Sequence, residues 1–420
     1  MSWIAFIVLI IALISANKTP KIMGIAILTA TLGITVLSRI EISTLFYGIQ
    51  ENIPILVLIL LAPLITIPLK LSGYLNKIVS VMTELKNNPD RAFLSILAIL
   101  FVLAPILNVG SIRVTQELVK DIHFKPKFLT KAYINGYLSA IVWSPYFATV
   151  AIVLYLFDVS LSSYILIGLA FAIIQTLTGY LLFHFNKQEH QGYQSHSNDS
   201  PEELKRLYRI TAQFFGLILL LIGFLILLEY VTSLPMLLLV SLSAISIPVL
   251  WGVIARQLKV TFQETKNFIS SVINSSNEIV LFLSAGLLGS ALKNSPFAEG
   301  LNEIFQQIAS LSVLLFGITI ILLVIFFTVV GIHQLVIVPI LIIQVQPDLV
   351  GIHPLALAFI FTVAWGLSVA LSPVSATNML VSNMLRAKWW QVGFKWNGVY
   401  VVVSAFIGLA IFFGLHLVTL

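Results

Sequence analysis

The sequence predicts an all-α polytopic membrane protein with about 10 transmembrane helices plus two re-entrant hairpins in a 5+5 inverted repeat. Hydrophobic residues make up 59% of the 420 residues, charged residues only 10%, and the mean hydropathy is +1.03. A soluble domain has about 25% charged residues, so the natural solvent of this chain is the bilayer. A duplicated Ser-Pro motif and an uneven distribution of Lys and Arg complete the prediction.

Apolar segments long enough to cross about 30 Å of hydrocarbon recur along both halves of the chain. In the first half they lie near residues 2–16, 20–37, 52–69, 130–157 and 162–185. In the second half they lie near residues 210–230, 235–254, 276–292, 353–382 and 393–417. Because five is an odd number, equivalent helices of the two halves must run in opposite directions, which makes the repeat inverted.

Two further apolar stretches, 91–122 and 309–346, are predicted to be re-entrant hairpins. Each has an apolar arm that ends in small or polar residues, followed by a shorter second arm. With hairpins at these places, nearly all Lys and Arg residues fall on one side of the membrane, and this bias disappears if the first arms cross fully. That side is then cytoplasmic, and both termini lie outside the cytoplasmic (inner) membrane.

The predicted division of the chain has two repeats joined by a polar connector. The first repeat spans 1–185, with its hairpin at 91–122 and a broken helix at 130–157; a cytoplasmic linker spans 186–209; the second repeat spans 210–420, with its hairpin at 309–346 and a broken helix at 353–382. The sequence Leu-Asn-Lys-Ile at 75–78 is similar to Leu-Asn-Glu-Ile at 301–304, which supports the duplication.

The motif S-P-x-x-A-T occurs once per half, from Ser144 to Thr149 and from Ser372 to Thr377. Proline removes a helical hydrogen bond, so each apolar helix is expected to open there and leave backbone groups unpaired. In lipid this is tolerated only where the freed groups face protein or a watery cavity. One Ser-Pro alone favours a simple kink, whereas duplication at equivalent places favours a binding site.

We expect the two hairpin tips and the two helix breaks to meet near the bilayer midplane. Amides at helix starts can hold an anionic group there, and exposed carbonyls can hold a cation. The candidate binding residues are Asn108, Gly110, Ser111, Arg113, Ser144, Pro145, Thr149, Gly331, His333, Gln334, Ser372, Pro373, Ser375, Thr377 and Asn378.

Three ionisable residues have open interpretations. Arg113 could bind a substrate carboxylate or oxyanion, pair with Glu117, or reach the cytoplasmic surface. His333 could relay a proton or satisfy a buried carbonyl. Glu278 is expected near the cytoplasmic surface, as an interface residue and not as a coupling carboxylate.

Other chemistry has little support in the sequence. There is no H-E-x-x-H, no G-x-S-x-G and no G-x-x-x-x-G-K-[ST], and there are no cysteines. We therefore expect neither an enzyme nor a nucleotide-driven pump, and no cofactor or bound metal apart from a coupling Na+ or H+. The Lys and Arg residues lie in short loops, which indicates contact with membrane lipids and not with nucleic acid.

The layout resembles the ion transporter superfamily, which includes divalent anion symporters, large membrane subunits of tripartite dicarboxylate transporters, and arsenite and sodium/proton carriers. The run S-P-V-S-A-T-N from Ser372 to Asn378 is similar to the family's Pro-containing loops. The resemblance implies an elevator-type transporter, often a homodimer, with substrate and coupling ion (sodium in some members) at the hairpin tips and broken helices. The Ser-Asn-Thr tripeptides of sodium-coupled dicarboxylate members are missing at both tips, so the subfamily is not identified.

The sequence therefore predicts a secondary active transporter that moves a small anionic solute by alternating access, coupled to a sodium or proton gradient. One alternative is a membrane-embedded enzyme or lipid-handling protein that uses the same midplane cavity. Another is a non-transporting membrane scaffold, in which the polar breaks would be dispensable.

Overall fold

The computed structural model describes residues 2–71, 89–120, 124–186, 201–272 and 275–419, which are helical with short connections. The helices of the first half are α1 (Ser2–Ser15), α2 (Lys18–Leu37), α3 (Ile42–Leu61), α4 (Thr66–Leu71), α5 (Pro89–Leu107), α6 (Gly110–Val119), α7 (Pro126–Ile141), α8 (Ala148–Leu156) and α9 (Leu161–His184). A 3₁₀ turn, Ala62–Ile65, joins α3 to α4.

The second half is also helical and has eleven helices in its described residues. Its helices are α10 (Pro201–Thr232), α11 (Met236–Ile254), α12 (Leu258–Val272), α13 (Ser276–Lys293), α14 (Pro296–Leu311), α15 (Val313–Val329), α16 (Gln334–Gln344), α17 (Pro347–Val350), α18 (Pro354–Leu371), α19 (Ala376–Met384) and α20 (Trp396–Thr419). A π-helical turn, Gln391–Lys395, precedes α20.

Eight helices in the described part of the chain are long and apolar enough to cross a membrane, or up to nine if one bent pair counts as a single span. The protein is therefore an all-helical, multi-span membrane protein. The division into about ten spans and two hairpins, the inverted orientation and the outside location of both termini remain predictions.

Two helices, α12 and α14, lie where no element was predicted. Helix α14 follows α13 after a bend of 82°. Ser295 occupies the N-cap position of α14, and Pro296 is the first residue of that helix. Both helices carry charged residues that keep their mean hydropathy low, so a search for apolar spans misses them. The tetrapeptide 301–304 lies within α14, whereas its counterpart 75–78 lies outside the described residues.

The predicted linker, 186–209, overlaps the start of α10. Helix α10 begins at Pro201, inside the predicted linker, and continues without interruption into the apolar span. Residues 187–200 of the linker lie outside the described ranges.

Both stretches predicted as hairpins form two contacting helices separated by a tight turn. Helices α5 and α6 are joined through Asn108, which has a φ of 49°, and α15 and α16 are joined through Gly331, which has a φ of 109°. Asparagine and glycine tolerate positive φ better than other residues do. The Asn108 Oδ1 atom also accepts a hydrogen bond from the Val109 backbone N–H at 2.8 Å.

Both Ser-Pro motifs break their helices at the predicted places. Helix α7 ends before Ser144 and resumes as α8, and α18 ends before Ser372 and resumes as α19. The Ser372 hydroxyl donates to the Thr328 carbonyl oxygen of α15 at 3.0 Å and accepts from the Val374 N–H at 3.3 Å. The second break is thereby attached to the neighbouring hairpin.

Helices α3 and α13 cross at two glycines, Gly48 and Gly286. A Cβ atom on Gly286 would come within 2.7 Å of Asn52 Nδ2, and the Gly48 carbonyl oxygen would be closer still. Asn52 Nδ2 of α3 donates to the Phe282 carbonyl oxygen of α13 at 2.8 Å, which adds a hydrogen bond between the two helices at the crossing. Small residues of this kind allow membrane helices to approach backbone to backbone.

The helices that carry the breaks form the buried centre of the molecule. In the most apolar 18-residue stretch of α18 and α19, 94% is buried inside the protein, against 17% in the corresponding stretch of α2. Helix α18 contacts α15, α20, α7 and α9, while α13 contacts α1, α2 and α3. A broken helix buried among protein neighbours meets the requirement that freed backbone groups be kept from lipid.

Replacing Gly286 with alanine is expected to destabilise the protein by about 1–3 kcal/mol, because the new methyl group overpacks the α3/α13 crossing. Gly33 on α2 is the matched control, since a Cβ atom there has nothing within 4 Å. Gly33→Ala is expected to be neutral or slightly stabilising. Thermal unfolding of the two purified variants in detergent checks this, and equal melting temperatures would contradict the tight crossing.

Candidate functional site

A cavity of about 490 Å³ lies where the two hairpin tips and the two helix breaks meet. The predicted binding residues that line it are Asn108, Gly110, Thr149, His333, Gln334, Ser375 and Thr377. Tips and breaks that are far apart in the chain therefore share one space. Whether these residues bind a solute or an ion stays a prediction.

The rest of the lining comes from elements outside the hairpins and the breaks. Phe268 of α12 and Glu278 of α13 line the cavity, as do six residues from the end of α3 to the start of α4: Leu58, Ile59, Leu60, Ala62, Pro63 and Thr66. The cavity therefore lies between the centre of the molecule and the helices around the α3/α13 crossing.

Four helix N-termini converge on this cavity. The first turns of α6, α8, α16 and α19 each contribute lining residues, namely Gly110, Ala148 and Thr149, Gln334 and Leu335, and Ala376 and Thr377. The first N–H groups of a helix have no acceptor within the helix, and the helix dipole places a partial positive charge there. These four first turns therefore each place a partial positive charge at the cavity, while the C-terminal ends of α5, α7 and α18, which line it through Leu107, Ile141 and Val369, place partial negative charges there.

Side-chain charges add little to that field. Among the described residues that line the cavity, none is Lys or Arg, and Glu278 is the one carboxylate. The depth of Glu278, expected near the cytoplasmic surface, remains a prediction, and the structure places this residue at the cavity. Its position could not be read from the sequence because it depends on how α13 packs against the hairpins.

The first tip is held by Tyr137, a residue that the sequence did not single out. The Tyr137 hydroxyl donates to Asn108 Oδ1 at 2.5 Å, and it also lies close to the Thr377 side chain. Tyr137 therefore connects a hairpin tip of the first half with a helix break of the second half. A tyrosine in an apolar helix has no local signal for this role, because its partners are distant in sequence.

The second tip presents two polar side chains to the cavity. His333 caps α16, since its Nδ1 atom accepts the Leu335 N–H at 3.2 Å. An accepting Nδ1 atom carries no proton, so the neutral ring carries its proton on Nε2 and can donate from there. Gln334 is 1% exposed, and its amide Nε2 has no hydrogen-bond partner among the described residues, so it too is available as a donor.

The second break is organised by Ser375 and Asn378. The Ser375 hydroxyl donates to the Val369 carbonyl oxygen at 2.6 Å and accepts the Asn378 N–H at 3.1 Å, which caps α19. Asn378 Nδ2 donates to the carbonyl oxygens of Ala370 at 2.6 Å and Trp389 at 3.2 Å. These side chains satisfy backbone groups that the missing helical turn leaves free.

Several predicted residues do not line the cavity: Ser111, Arg113, Ser144, Pro145, Gly331, Ser372, Pro373 and Asn378. Arg113 is exposed on α6, whereas Ser144 and Ser372 are fully buried in the walls. Of the repeated motif S-P-x-x-A-T, the serine and proline break the helix and the threonine, Thr149 or Thr377, reaches the cavity. Local sequence marks the break but does not show which of its residues face inward.

No protein-family model matches the chain, and no curated protein matches it. Among solved structures, the fold is similar to that of the Alcanivorax borkumensis YdaH transporter, whose crystal structure is described as revealing an unusual topology. The TM-score is 0.60 at 12% sequence identity, and the match covers 95% of this chain and 100% of the transporter chain. At this identity the similarity establishes the fold of a membrane transporter.

Replacing Tyr137 with phenylalanine is expected to loosen the first tip, because Asn108 Oδ1 loses its hydroxyl donor. A hydrogen bond is worth about 1 kcal/mol, so amide hydrogen exchange near Val109 should become about fivefold faster. Tyr133→Phe is the matched control, since Tyr133 lies on the same helix and donates instead to Gln116 at 2.8 Å. Equal exchange at the tip in both variants would argue against Tyr137 as its anchor.

Proposed function

We propose that this protein is a secondary active transporter that moves a small anionic solute across the cytoplasmic membrane by alternating access, coupled to a sodium or proton gradient. The observation that supports this most directly is the convergence of four helix N-termini on one cavity between the hairpins and the surrounding helices. Half-helices that point their N-termini at a midplane site are a recurring device for holding anionic substrates.

Electrostatics favours an anion of low charge. Each helix N-terminus is equivalent to about half a positive charge, and the effect is strong where water is excluded. Gln334 Nε2 and the Nε2–H group of His333 add two donors at the same tip. Because no Lys or Arg is present in the described lining, the solute is held by dipoles and hydrogen bonds, which also permits its release.

The aromatic part of the lining favours an organic solute. Tyr137, Tyr146, Phe147, Phe268 and Trp365 all line the cavity. Ligand sites commonly combine such apolar surface with a few oriented polar groups. The solute is therefore expected to join an anionic group, directed to the helix N-termini, to an apolar part.

The two-sided lining supports alternating access of the elevator type. The hairpins and broken helices form one wall, and the α3/α13 crossing lies behind the other. Movement of the first wall relative to the second would expose the cavity first to one side of the membrane and then to the other. The tightly crossed helices suit a fixed scaffold, on which a homodimer would assemble.

The enzyme and scaffold alternatives have less support. Within the described lining, the one histidine and the one carboxylate belong to different elements, and His333 Nδ1 already serves as a helix cap. A nucleophile with an adjacent base, as covalent catalysis requires, is not found among these residues. A non-transporting scaffold would have no need of helix N-termini at a cavity.

Small organic anions are expected to raise the melting temperature of the purified protein in detergent. A ligand that binds the folded state stabilises it by about 2.7 kcal/mol at a hundredfold excess over Kd. A panel of mono- and dicarboxylates, each with and without sodium and at two pH values, also identifies the coupling ion. Stabilisation by organic cations but by none of the anions would overturn the anionic assignment.

Replacing His333 with asparagine is expected to reduce solute uptake into proteoliposomes at least about tenfold, because the donor at Nε2 is lost while asparagine keeps the helix cap. The matched control is His353→Asn, since the exposed His353 caps α18 in the same way, with Nδ1 accepting the Leu355 N–H at 3.2 Å. Equal uptake by the two variants would show that His333 acts only as a cap.

A further inference from the structure

A group of buried oxygen atoms lies away from the solute cavity, among α7, α9 and α20. Asn135 Oδ1 and Gln175 Oε1 have no hydrogen-bond partner among the described residues, and Ser404 Oγ lies beside the Tyr400 hydroxyl of its own helix. The three residues are at most 2% exposed. Buried polar atoms are nearly always paired, so the two unpaired amide oxygens on contacting helices have free capacity for a ligand.

The packing of α7 against α9 brings Asn135 close to Gln175. A Cβ atom on Gly179 would lie 3.0 Å from Asn135 Nδ2, and one on Gly168 would lie 3.0 Å from the Val142 carbonyl oxygen. The two helices therefore run antiparallel. Gln175 lies one turn from Gly179, on the same face of α9 and in the direction of Gly168.

Ser404 lies on α20, which packs against α9. A Cβ atom on Gly408 would lie 3.6 Å from Phe171 Cζ, which is one turn before Gln175. At the other end, the Tyr400 hydroxyl donates to the Asn135 carbonyl oxygen at 3.4 Å. Ser404 lies one turn from both Gly408 and Tyr400, on the face of α20 that contacts α9 and α7.

A fourth oxygen is available from α7. Ser139 lies one turn after Asn135, in the direction of Val142, and is fully buried. Its hydroxyl donates to the Gly136 carbonyl oxygen at 2.9 Å, which leaves the lone pairs of Oγ free to act as ligands. Three contacting helices thus carry these buried neutral oxygen atoms.

We propose that Asn135, Ser139, Gln175 and Ser404 bind a sodium ion between α7, α9 and α20. A cation can be ligated by every oxygen at once, whereas a single water molecule can donate only two hydrogen bonds. Small hard cations prefer oxygen ligands, and the absence of a carboxylate from this set favours a monovalent ion over a divalent one.

The position of the ion suggests how it would communicate with the cavity. Tyr137 lies between Asn135 and Ser139 in sequence and therefore on the opposite face of α7, where it lines the cavity and holds Asn108. An ion bound on one face of α7 would thus fix the helix that positions the first tip. The ion site stands on the contacts above, and only its role in coupling rests on the proposed transport function.

The test is the melting temperature of the purified protein, without solute, in sodium, potassium or choline chloride at constant ionic strength. Sodium alone is expected to raise it in a saturable way. Ser404→Ala, a change small enough to preserve folding, is expected to raise the half-saturating sodium concentration about tenfold. Gln175→Leu is expected to abolish the sodium effect.

Gln344→Leu is the matched control, because Gln344 is another buried glutamine with an unpartnered amide, on α16 away from the proposed ligands. It is expected to keep the full sodium effect. Equal stabilisation by all three salts, or an unchanged sodium dependence in Ser404→Ala, would overturn the site. Because the sodium experiment contains no solute, a negative result would disprove the ion site without bearing on the proposed binding of organic anions.

Discussion

The need to satisfy every backbone polar group in a medium without water governs this structure. Two helices are broken at membrane depth, and each break frees carbonyl and amide groups that lipid cannot pair. At the second break Ser372, Ser375 and Asn378 bond to backbone groups of α15, α18 and the segment before α20. The burial of α18 among other helices follows from this requirement, as does the position of the cavity beside it.

The same constraint explains how helix N-termini reach the cavity although no Lys or Arg is present in its described lining. Breaking a helix creates a new N-terminus, and a hairpin tip creates another, so the site obtains its field from backbone dipoles. Lys or Arg side chains at this depth would be expensive to bury. A dipole field is also fixed in direction, which suits the proposed binding and release of an anion.

Much of the layout could be predicted because its causes are local. Ser-Pro within a run of small polar residues marks the two helix breaks, whereas Pro54, Pro105, Pro248 and Pro339 lie inside helices. Asn108 and Gly331 mark turns that need positive φ, and apolar length marks a span. Helices α12 and α14 were missed because amphipathic helices have low mean hydropathy. Tyr137 and Glu278 were missed as cavity residues because an ordinary tyrosine in an apolar helix, or a carboxylate at a helix start, has no local feature that reveals its distant neighbours.

The sequence by itself determined that the chain is a helical membrane protein with duplicated breaks and tips, since composition, length and proline act through local geometry. Only the tertiary structure decided which atoms face the cavity. It separated the threonines that line the cavity from the serines and prolines that build its wall, and it left Arg113 exposed. It also placed Asn135 against Gly179 and Gly408 beside Phe171, because helix register is set by packing at such glycines and not by local propensity.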